Sequence, residues 1–183
     1  MRRLAGIVIL ALFTVFAMNT EAKAADPENT LHLELKSGIV VIEMRPDIAP
    51  NHVARIKELV REKFYDGLVF HRVIDGFMAQ TGDPDGNGTG GSGQNIAAEF
   101  TDLEKFYRGT MGMARSQNPN SADSQFFITL EPSTWLDGQY TIWGEVIDGM
   151  EYVDQIKKGD ERANGLVEDP DKIITMRIAV DVK

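Results

Sequence analysis

The feature that most constrains the fold is a set of short segments in which apolar and polar residues alternate. Leu31, Leu33 and Leu35 alternate with polar residues near the start of the chain, and residues 174–182 alternate in the same way near its end. Such alternation is typical of strands with one buried face. No strand–helix unit repeats along the chain, so the pattern predicts a mostly antiparallel sheet.

The remaining elements complete this prediction. A tight turn at Ser37-Gly38 indicates a hairpin between the first two strands. Pro50 suits the first position of a helix over residues 50–63, and a second helix is predicted over residues 150–158. The nine strand candidates cover residues 31–36, 40–44, 69–74, 77–81, 96–100, 110–115, 125–130, 141–147 and 174–182. Strong strands at both ends of the domain favour a sheet that closes on itself, with the helices over the barrel ends.

Composition excludes several classes of function. The chain has 183 residues, which suits one domain. Its net charge of −9, without a cluster of Lys or Arg, argues against a nucleic-acid partner. The absence of cysteine excludes disulfides, thiolate metal sites and a cysteine nucleophile.

The first residues predict a secretory signal rather than part of the fold. A basic start, Met1-Arg2-Arg3, precedes an almost wholly apolar segment over residues 4–18 and a small-residue cleavage site at Ala22-Lys23-Ala24. The alternative is a membrane anchor, but the apolar segment is shorter than the roughly 20 residues that a spanning helix needs. We therefore expect cleavage after Ala24 and a single domain over residues 25–183, with no membrane association after cleavage.

The C-terminal residues, 180–183, do not form an endoplasmic-reticulum retention signal. A signal peptide without retention favours a bacterial periplasm as the location. No dimerisation pattern is evident, so a monomer is expected.

Common catalytic motifs do not occur. The three histidines, His32, His52 and His71, lie about twenty residues apart, which matches no local metal-binding spacing. The glycine-rich segment over residues 82–93 lacks the Gly-Lys-Ser/Thr ending of a phosphate-binding loop. A loop of this length in a compact domain is usually functional or disordered.

The same loop partly matches a calcium-binding EF-hand. Asp83, Asp85, Asn87 and Gly88 fit the first half of that motif, but Gln94 stands where a bidentate Glu is required. A predicted strand, not a helix, leads into the loop. We therefore expect no specific metal site, and a calcium-dependent adhesion or structural protein remains the third-ranked function.

One predicted strand carries an arginine that strand patterns do not explain. Arg72 lies between the apolar residues Phe70 and Ile74 on the predicted face, and Gln80 follows Phe77 and Met78. Taken singly, the apolar residues here are more often core than site. The polar residues are harder to explain as core, because a buried guanidinium or amide needs partners.

These residues also carry a resemblance. The run over residues 70–83 resembles the signature of the cyclophilins, and four further blocks follow in the order of that family. These blocks are Asn87-Gly88-Thr89-Gly90-Gly91, Met113-Ala114, Ser124-Gln125-Phe126-Phe127-Ile128 and Trp135-Leu136-Asp137-Gly138. The resemblance runs from about Leu31 to the C-terminus. It implies a closed eight-stranded barrel capped by two helices, so the candidate near Ile96 is expected to be one strand too many.

The resemblance also implies an activity and a set of site residues. Cyclophilins are peptidyl-prolyl cis-trans isomerases that act on proline-containing polypeptides without a cofactor. Arg72 would be the catalytic guanidinium, and Gln80 would bind the substrate backbone and hold Arg72. The implied binding residues are Phe77, Met78, Phe127 and Leu136 around the proline ring, Ala114, Arg115 and Gln125 along the groove, Gly88 and Thr89 in a side pocket, and Trp135 at the rim.

Three positions depart from the commonest pattern of that family. Asp75 replaces a frequent Pro, Arg115 replaces a frequent Asn, and Tyr140 stands at the pocket wall where many members have His. The last two resemble the bacterial branch. They leave substrate preference open, together with affinity for cyclosporin, the inhibitor that Trp135 would bind.

The leading hypothesis is therefore a folding catalyst for exported proteins. The alternative is a peptide-binding or holdase module of the same fold with incidental catalysis, which would be favoured if removal of Arg72 left chaperone activity unchanged.

Overall fold

Eight strands and two α-helices form the regular structure of residues 25–182, the part of the chain that the computed structural model describes. The predicted signal over residues 1–24 lies outside the described residues. The elements are β1 (Thr30–Leu35), β2 (Gly38–Met44), α1 (Pro50–Arg61), β3 (Arg72–Ile74), β4 (Met78–Thr81), β5 (Thr110–Met113), β6 (Phe126–Thr129), β7 (Ile142–Asp148), α2 (Met150–Val153) and β8 (Thr175–Ile178). Over this range, no helix has the length and apolar character needed to cross a membrane.

The strands form one sheet in which every pairing is antiparallel, in the order β3-β4-β6-β5-β7-β2-β1-β8. The predicted hairpin is confirmed, since Leu35 pairs with Gly38 across its turn. The predicted excess of one strand is also confirmed, because Ile96 forms only an isolated bridge with Ala122. The mostly β class and the two helices therefore stand as predicted.

The prediction of a closed barrel is wrong at one seam. The terminal strands β3 and β8 do not pair, so the sheet is an open half-barrel. Only the segments that precede them meet, through backbone hydrogen bonds such as Phe70 N–Asp171 O (2.9 Å) and Ile173 N–Leu68 O (2.9 Å). The outer edge of β3 is instead occupied by a loop, because Val73 donates to Gly165 O and accepts from Gly159 N.

Several predicted elements are shorter than expected. The predicted strand over residues 69–74 begins only at Arg72, so Arg72 does not share a face with Phe70, whose side chain lies in the core. The last strand ends at Ile178, where a 3-10 turn follows. Helix α2 ends at Val153 because the next backbone bonds, Gln155 N–Tyr152 O and Ile156 N–Val153 O, tighten the chain into turns.

Apolar side chains form two separate clusters, one on each face of the curved sheet. The inner core lies between the sheet and its helices, and its largest fully buried side chains include Trp143, Tyr65, Phe70 and Phe126. The outer cluster consists of Met78, Phe106, Phe127, Leu136 and Ile142, with Phe77, Ala114 and Tyr140 among the partly buried residues packed against it. Neighbouring strand residues point to opposite faces, so Phe126 belongs to the inner core and Phe127 to the outer cluster.

Candidate active site

Four adjacent strands align the central residues of the site in one row. In the sheet register Arg72 on β3 pairs with Gln80 on β4, Gln80 pairs with Phe127 on β6, and Phe127 pairs with Gly112 on β5. Directly paired residues in antiparallel strands point to the same face, with Cβ atoms about 5 Å apart. The register therefore brings a guanidinium, an amide and an aromatic ring together on the outer face.

This row borders an open apolar cavity of about 170 Å³. Its lining contains nine residues, and all of them were predicted as site residues: Arg72, Phe77, Met78, Gln80, Ala114, Arg115, Phe127, Leu136 and Tyr140. The ring of Phe127 stacks on Phe106 with centroids 5.8 Å apart and meets Tyr140 edge-on at 6.0 Å. Aromatic packing of this kind holds the cavity floor in one position.

Two neighbouring residues of one 3-10 turn serve different parts of the cavity. The turn Thr134–Leu136 directs Leu136 into the outer cluster. Trp135 remains 59% exposed and packs on Phe77, with ring centroids 5.5 Å apart. Trp135 therefore lies beside the cavity at its rim, where the sequence predicted it.

The guanidinium of Arg72 is held by hydrogen bonds on two sides. Its Nη1 donates to Oε1 of Gln80 at 3.1 Å, while Nε and Nη2 donate to the backbone oxygen and Oδ1 of Asn164 at 3.0 and 3.1 Å. Burial lowers the pKa of Arg72 from its ordinary value, but an arginine remains charged at neutral pH. Three of its five N–H groups thus have oxygen acceptors, and Nη1 also contacts the sulfur of Met78, a weak acceptor, at 3.9 Å.

Gln80 is in turn fixed by a chain of amides. Its Nε2 donates to Oε1 of Gln125 at 2.9 Å, and Nε2 of Gln125 donates to the backbone oxygen of Gly90 at 2.8 Å. Each amide has one orientation that satisfies both of its neighbours. The glycine loop is thereby linked to Arg72 through two side chains.

A second pocket of about 230 Å³ adjoins the first one. The predicted residues Gly88, Thr89, Ala114, Arg115 and Gln125 line it, together with Gln80, Gly90, Ser116, Ser121 and Asp123. Arg115 borders both cavities: its guanidinium carbon lies 4.4 Å from the centroid of the Tyr140 ring, and Nη2 donates to the backbone oxygen of Gln139 at 2.8 Å. Such stacking and hydrogen bonding hold Arg115 against the wall of the groove.

The glycine loop is organised around Asp83. The carboxylate accepts the backbone N–H groups of Asp85, Asn87 and Gly88 at 2.9, 3.0 and 2.5 Å. Burial alone would raise the pKa of Asp83, but these N–H donors hold it below the ordinary value. The carboxylate that the EF-hand pattern would assign to a cation thus accepts hydrogen bonds from its own loop. Within residues 25–182 no group of three or more candidate side chains is arranged around a metal position.

The sequence did not identify three residues that shape the site. Phe106 lies under Phe127, Gly112 gives the Phe127 ring its space, and Asn164 holds Arg72. The Asn164-Gly165 pair was a readable turn signal. Its contact with Arg72, 92 residues away in the chain, depends on the tertiary fold.

The arrangement can bind a small apolar ring beside a fixed cationic donor. The apolar walls would exclude water from the ring, and the free N–H groups of Arg72 and Gln80 could donate to polar atoms next to it.

Comparison with known proteins gives consistent matches. Residues 30–178 match the family model described as cyclophilin type peptidyl-prolyl cis-trans isomerase/CLD. A probable peptidyl-prolyl cis-trans isomerase of Brucella suis is 56% identical over 192 residues, covering 98% of this chain and 96% of that protein. Peptidyl-prolyl cis-trans isomerase-like 1 of Rhizopus delemar is 40% identical and covers 82% and 93%.

Two solved structures show a similar fold. The cyclophilin AquaCyp293 from Hirschia baltica superposes with a TM-score of 0.77 at 27% identity, covering 87% of this chain and 77% of that one. A Cryptosporidium parvum cyclophilin type peptidyl-prolyl cis-trans isomerase, solved in the presence of the dipeptide Ala-Pro, gives a TM-score of 0.75 at 30% identity, covering 81% and 98%.

Proposed function

The chain belongs to the cyclophilin-type peptidyl-prolyl cis-trans isomerases, and we propose that it uses Arg72 to accelerate X–Pro rotation in exported polypeptides and so assists their folding. The observation that carries the proposal is the guanidinium of Arg72, fixed between Gln80 and Asn164 at the wall of the apolar cavity. The proline ring would occupy that cavity, between Phe77, Met78, Phe127 and Leu136.

The chemistry requires no nucleophile. Rotation about an X–Pro bond crosses a barrier of about 20 kcal/mol because it breaks amide resonance. Loss of resonance leaves a lone pair on the proline nitrogen. A free N–H of Arg72 would donate to that lone pair, and a preorganised donor of this kind contributes about 3–4 kcal/mol in other enzymes.

The apolar cavity would act in the same direction. The planar amide is the more charge-separated state, so removal of water would disfavour it relative to the twisted amide. Because Phe127 is fixed between Phe106 and Tyr140, the cavity would need little rearrangement to receive the ring.

Gln80 would have two roles. Its Oε1 accepts from Arg72 and one N–H donates to Gln125, so its second N–H is available for a substrate carbonyl group. The same side chain would thus orient the catalytic arginine and the peptide. Ala114, Arg115 and Gln125 would extend this contact along the groove, and Gly88 and Thr89 would line the side pocket for a neighbouring peptide residue.

The test is cis-trans exchange of an Ala-Pro peptide, measured by NMR with the purified protein. Arg72→Ala should lower the exchange rate at least about a hundredfold, because one preorganised donor is lost. Arg72→Lys should recover little, since an ammonium lacks the planar fork. Arg162→Ala, which removes an exposed arginine, is the matched control and should retain the wild-type rate. An Arg72→Ala variant as active as the wild type would refute the role of Arg72.

The export part of the proposal rests on the basic, apolar and small-residue order of residues 1–24. Cell fractionation of a C-terminally tagged protein should place it in the periplasm. N-terminal sequencing should begin at Ala25. Recovery of the uncleaved chain in the cytoplasm would contradict this part and leave the isomerase activity untouched.

The folding role has a separate test. The test uses an exported protein whose refolding rate is limited by isomerisation of an X–Pro bond. Its refolding should be faster with the wild type than with Arg72→Ala. If both suppress aggregation equally and neither accelerates refolding, the peptide-binding or holdase function becomes the better description.

A further inference from the structure

Asn164 contacts the catalytic arginine through two of its own atoms. Its backbone oxygen accepts from Nε of Arg72 at 3.0 Å, and its Oδ1 accepts from Nη2 at 3.1 Å. Nε and Nη2 form one edge of the planar guanidinium, so the contact is bidentate. Bidentate acceptors fix the plane of the group as well as its position.

The backbone of Asn164 is shaped for this contact. Its φ of 55° lies in the left-handed region, which Asn tolerates better than most residues other than Gly. This conformation ends the 3-10 turn Glu161–Ala163 and directs both oxygens of Asn164 towards Arg72.

The loop that carries Asn164, residues 159–166, is held firmly against β3. Gly159 N donates to Val73 O at 2.9 Å, Val73 N donates to Gly165 O at 2.8 Å, and Gly165 N donates back to Asp160 O at 2.8 Å. A Cβ atom on Gly165 would lie 2.5 Å from Cγ1 of Ile74. The loop therefore packs too closely on the strand of Arg72 to move independently of it.

The two sides of the guanidinium are thus fixed from different parts of the chain. Gln80 on β4 holds Nη1, and Asn164 holds the opposite edge. If Gln80 were the only anchor, the guanidinium could still rotate about the hydrogen bond between Nη1 and Oε1 of Gln80. Two anchors leave one orientation, in which the remaining N–H groups are directed by the protein rather than by solvent.

From this geometry, and resting on the proposed catalytic role of Arg72, we propose that Asn164 is a positioning residue for the isomerase reaction. It acts on the transition state through Arg72 and does not itself contact the substrate. Its loss should therefore lower kcat while leaving KM almost unchanged, because ground-state binding depends on the cavity walls.

The main variant is Asn164→Gly, which retains access to positive φ and the backbone oxygen acceptor but removes the side chain and with it the Oδ1 acceptor. We expect kcat for Ala-Pro peptide exchange to fall about tenfold, as for loss of one hydrogen bond to a charged group. KM should change less than twofold. Asn164→Asp keeps an acceptor at the same position and should recover most of kcat. Arg162→Ala, in the same loop, is the control for non-specific loosening.

A double-mutant cycle separates positioning from an independent effect. In an Arg72→Ala background, Asn164→Gly should cause no further loss, because its effect passes through the missing arginine. An equal loss in both backgrounds, or an Asn164→Gly variant with the kcat of the wild type, would overturn the proposal.

The Nη2–H resonance of Arg72, whose acceptor Oδ1 is lost in Asn164→Gly, provides a readout that does not depend on activity. In the wild type it should exchange slowly with water, and Asn164→Gly should accelerate that exchange while the melting temperature changes little. An unaltered rate of proton exchange with water in Asn164→Gly would also overturn the proposal. If instead the wild type fails to accelerate peptide exchange, the proposed function fails, and this measurement still decides whether Asn164 orders Arg72.

Discussion

The inner core and the outer cluster are built from the same kinds of side chain, yet only one of them leaves space for a ligand. Phe126 and Phe127 are consecutive residues of β6 and are 0% and 5% exposed. Phe126 meets Tyr65 and Trp143 inside the sheet, whereas Phe127 meets Phe106 and Tyr140 outside it. One strand therefore contributes one aromatic ring to the inner core and the next ring to the lining of the cavity.

The difference lies in what covers each cluster. The inner core is covered by the curved sheet and by the helices, with α1 packed on β8 and α2 on β2. The outer cluster is bordered by partly buried side chains such as Phe77, Ala114 and Tyr140, and a cavity of about 170 Å³ lies against it. Burial of the remaining apolar surface by a ligand would be favourable by about 25 cal/mol per Å².

The largest contrast is expected from truncating the two neighbouring phenylalanines. Phe126→Ala should lower the free energy of unfolding by about 3–5 kcal/mol, because a closed void forms in the core. Phe127→Ala should cost clearly less stability, since the space it leaves is continuous with an open pocket, but it should lower kcat/KM strongly. Urea denaturation and NMR peptide exchange measure the two effects. Equal losses of stability would show that the outer cluster is as closed as the inner core.

Overpacking the outer cluster should have the next largest effect. A Cβ atom on Gly112 would lie 2.7 Å from Cε2 of Phe127 and 2.8 Å from Cε1 of Phe106. Gly112→Ala should therefore displace the Phe127 ring, destabilise the fold by about 1–3 kcal/mol and lower kcat/KM about tenfold. Retained activity, measured by the same peptide exchange, would mean that the ring relaxes without closing the cavity.

A smaller contrast is expected from pH. His52 is fully buried and bonds through Nδ1 to Oε2 of Glu99 at 2.6 Å. Burial lowers the pKa of His52 despite this bond, and burial likewise lowers the pKa of His71. The unfolded chain therefore binds protons that the folded chain resists, so stability should fall as pH drops below about 6.5. The slope cannot exceed about 1.4 kcal/mol per pH unit for each histidine.

Thermal unfolding between pH 7.5 and 5.5 measures this dependence, and His52→Asn should flatten it in part. The kcat of the folded enzyme should stay constant over the same range, because the proposed catalytic group is an arginine. Glu99, the acidic partner of His52, affects stability only at lower pH. Burial alone would raise the pKa of Glu99, but bonds from His52 and backbone N–H groups hold it low. Its contribution should be lost only below about pH 4.5. A stability independent of pH would contradict the buried state of both histidines.

The smallest effect is expected at the rim. Trp135 is 59% exposed and contacts the site through Phe77. Trp135→Ala should change the free energy of unfolding by no more than about 0.5 kcal/mol and should reduce kcat/KM only a few-fold. A loss as large as that of Phe127→Ala would place the rim inside the binding cavity.

Local pattern was sufficient to predict much of this molecule. The alternation of Leu31, Leu33 and Leu35 with polar residues predicted β1. The resemblance carried by the ordered blocks from Phe70 to Gly138, with Arg115 and Tyr140 next to them, implied the residues that line the cavity of about 170 Å³. These features depend on residues close together in the chain. They include the pairing of Arg72 with Gln80, which a short hairpin sets.

The remaining features depend on contacts between distant segments. The apolar pattern of the run Gln125-Phe126-Phe127-Ile128, taken without the resemblance, does not show which ring faces inward, because both residues are apolar. The seam between β3 and β8 stays unpaired because the 159–166 loop occupies the edge of β3. The contact of Asn164 with Arg72 arises from that same docking.

The two tryptophans give the protein two separable optical probes. Trp143 is fully buried in the inner core, edge-on to Phe126, while Trp135 lies half in water beside the cavity. Emission from Trp143 should be blue-shifted and should report unfolding. Emission from Trp135 should respond to peptide at the rim. With only these two indoles in the sequence, replacing either one by Phe leaves a single fluorophore that follows either folding or ligand occupancy.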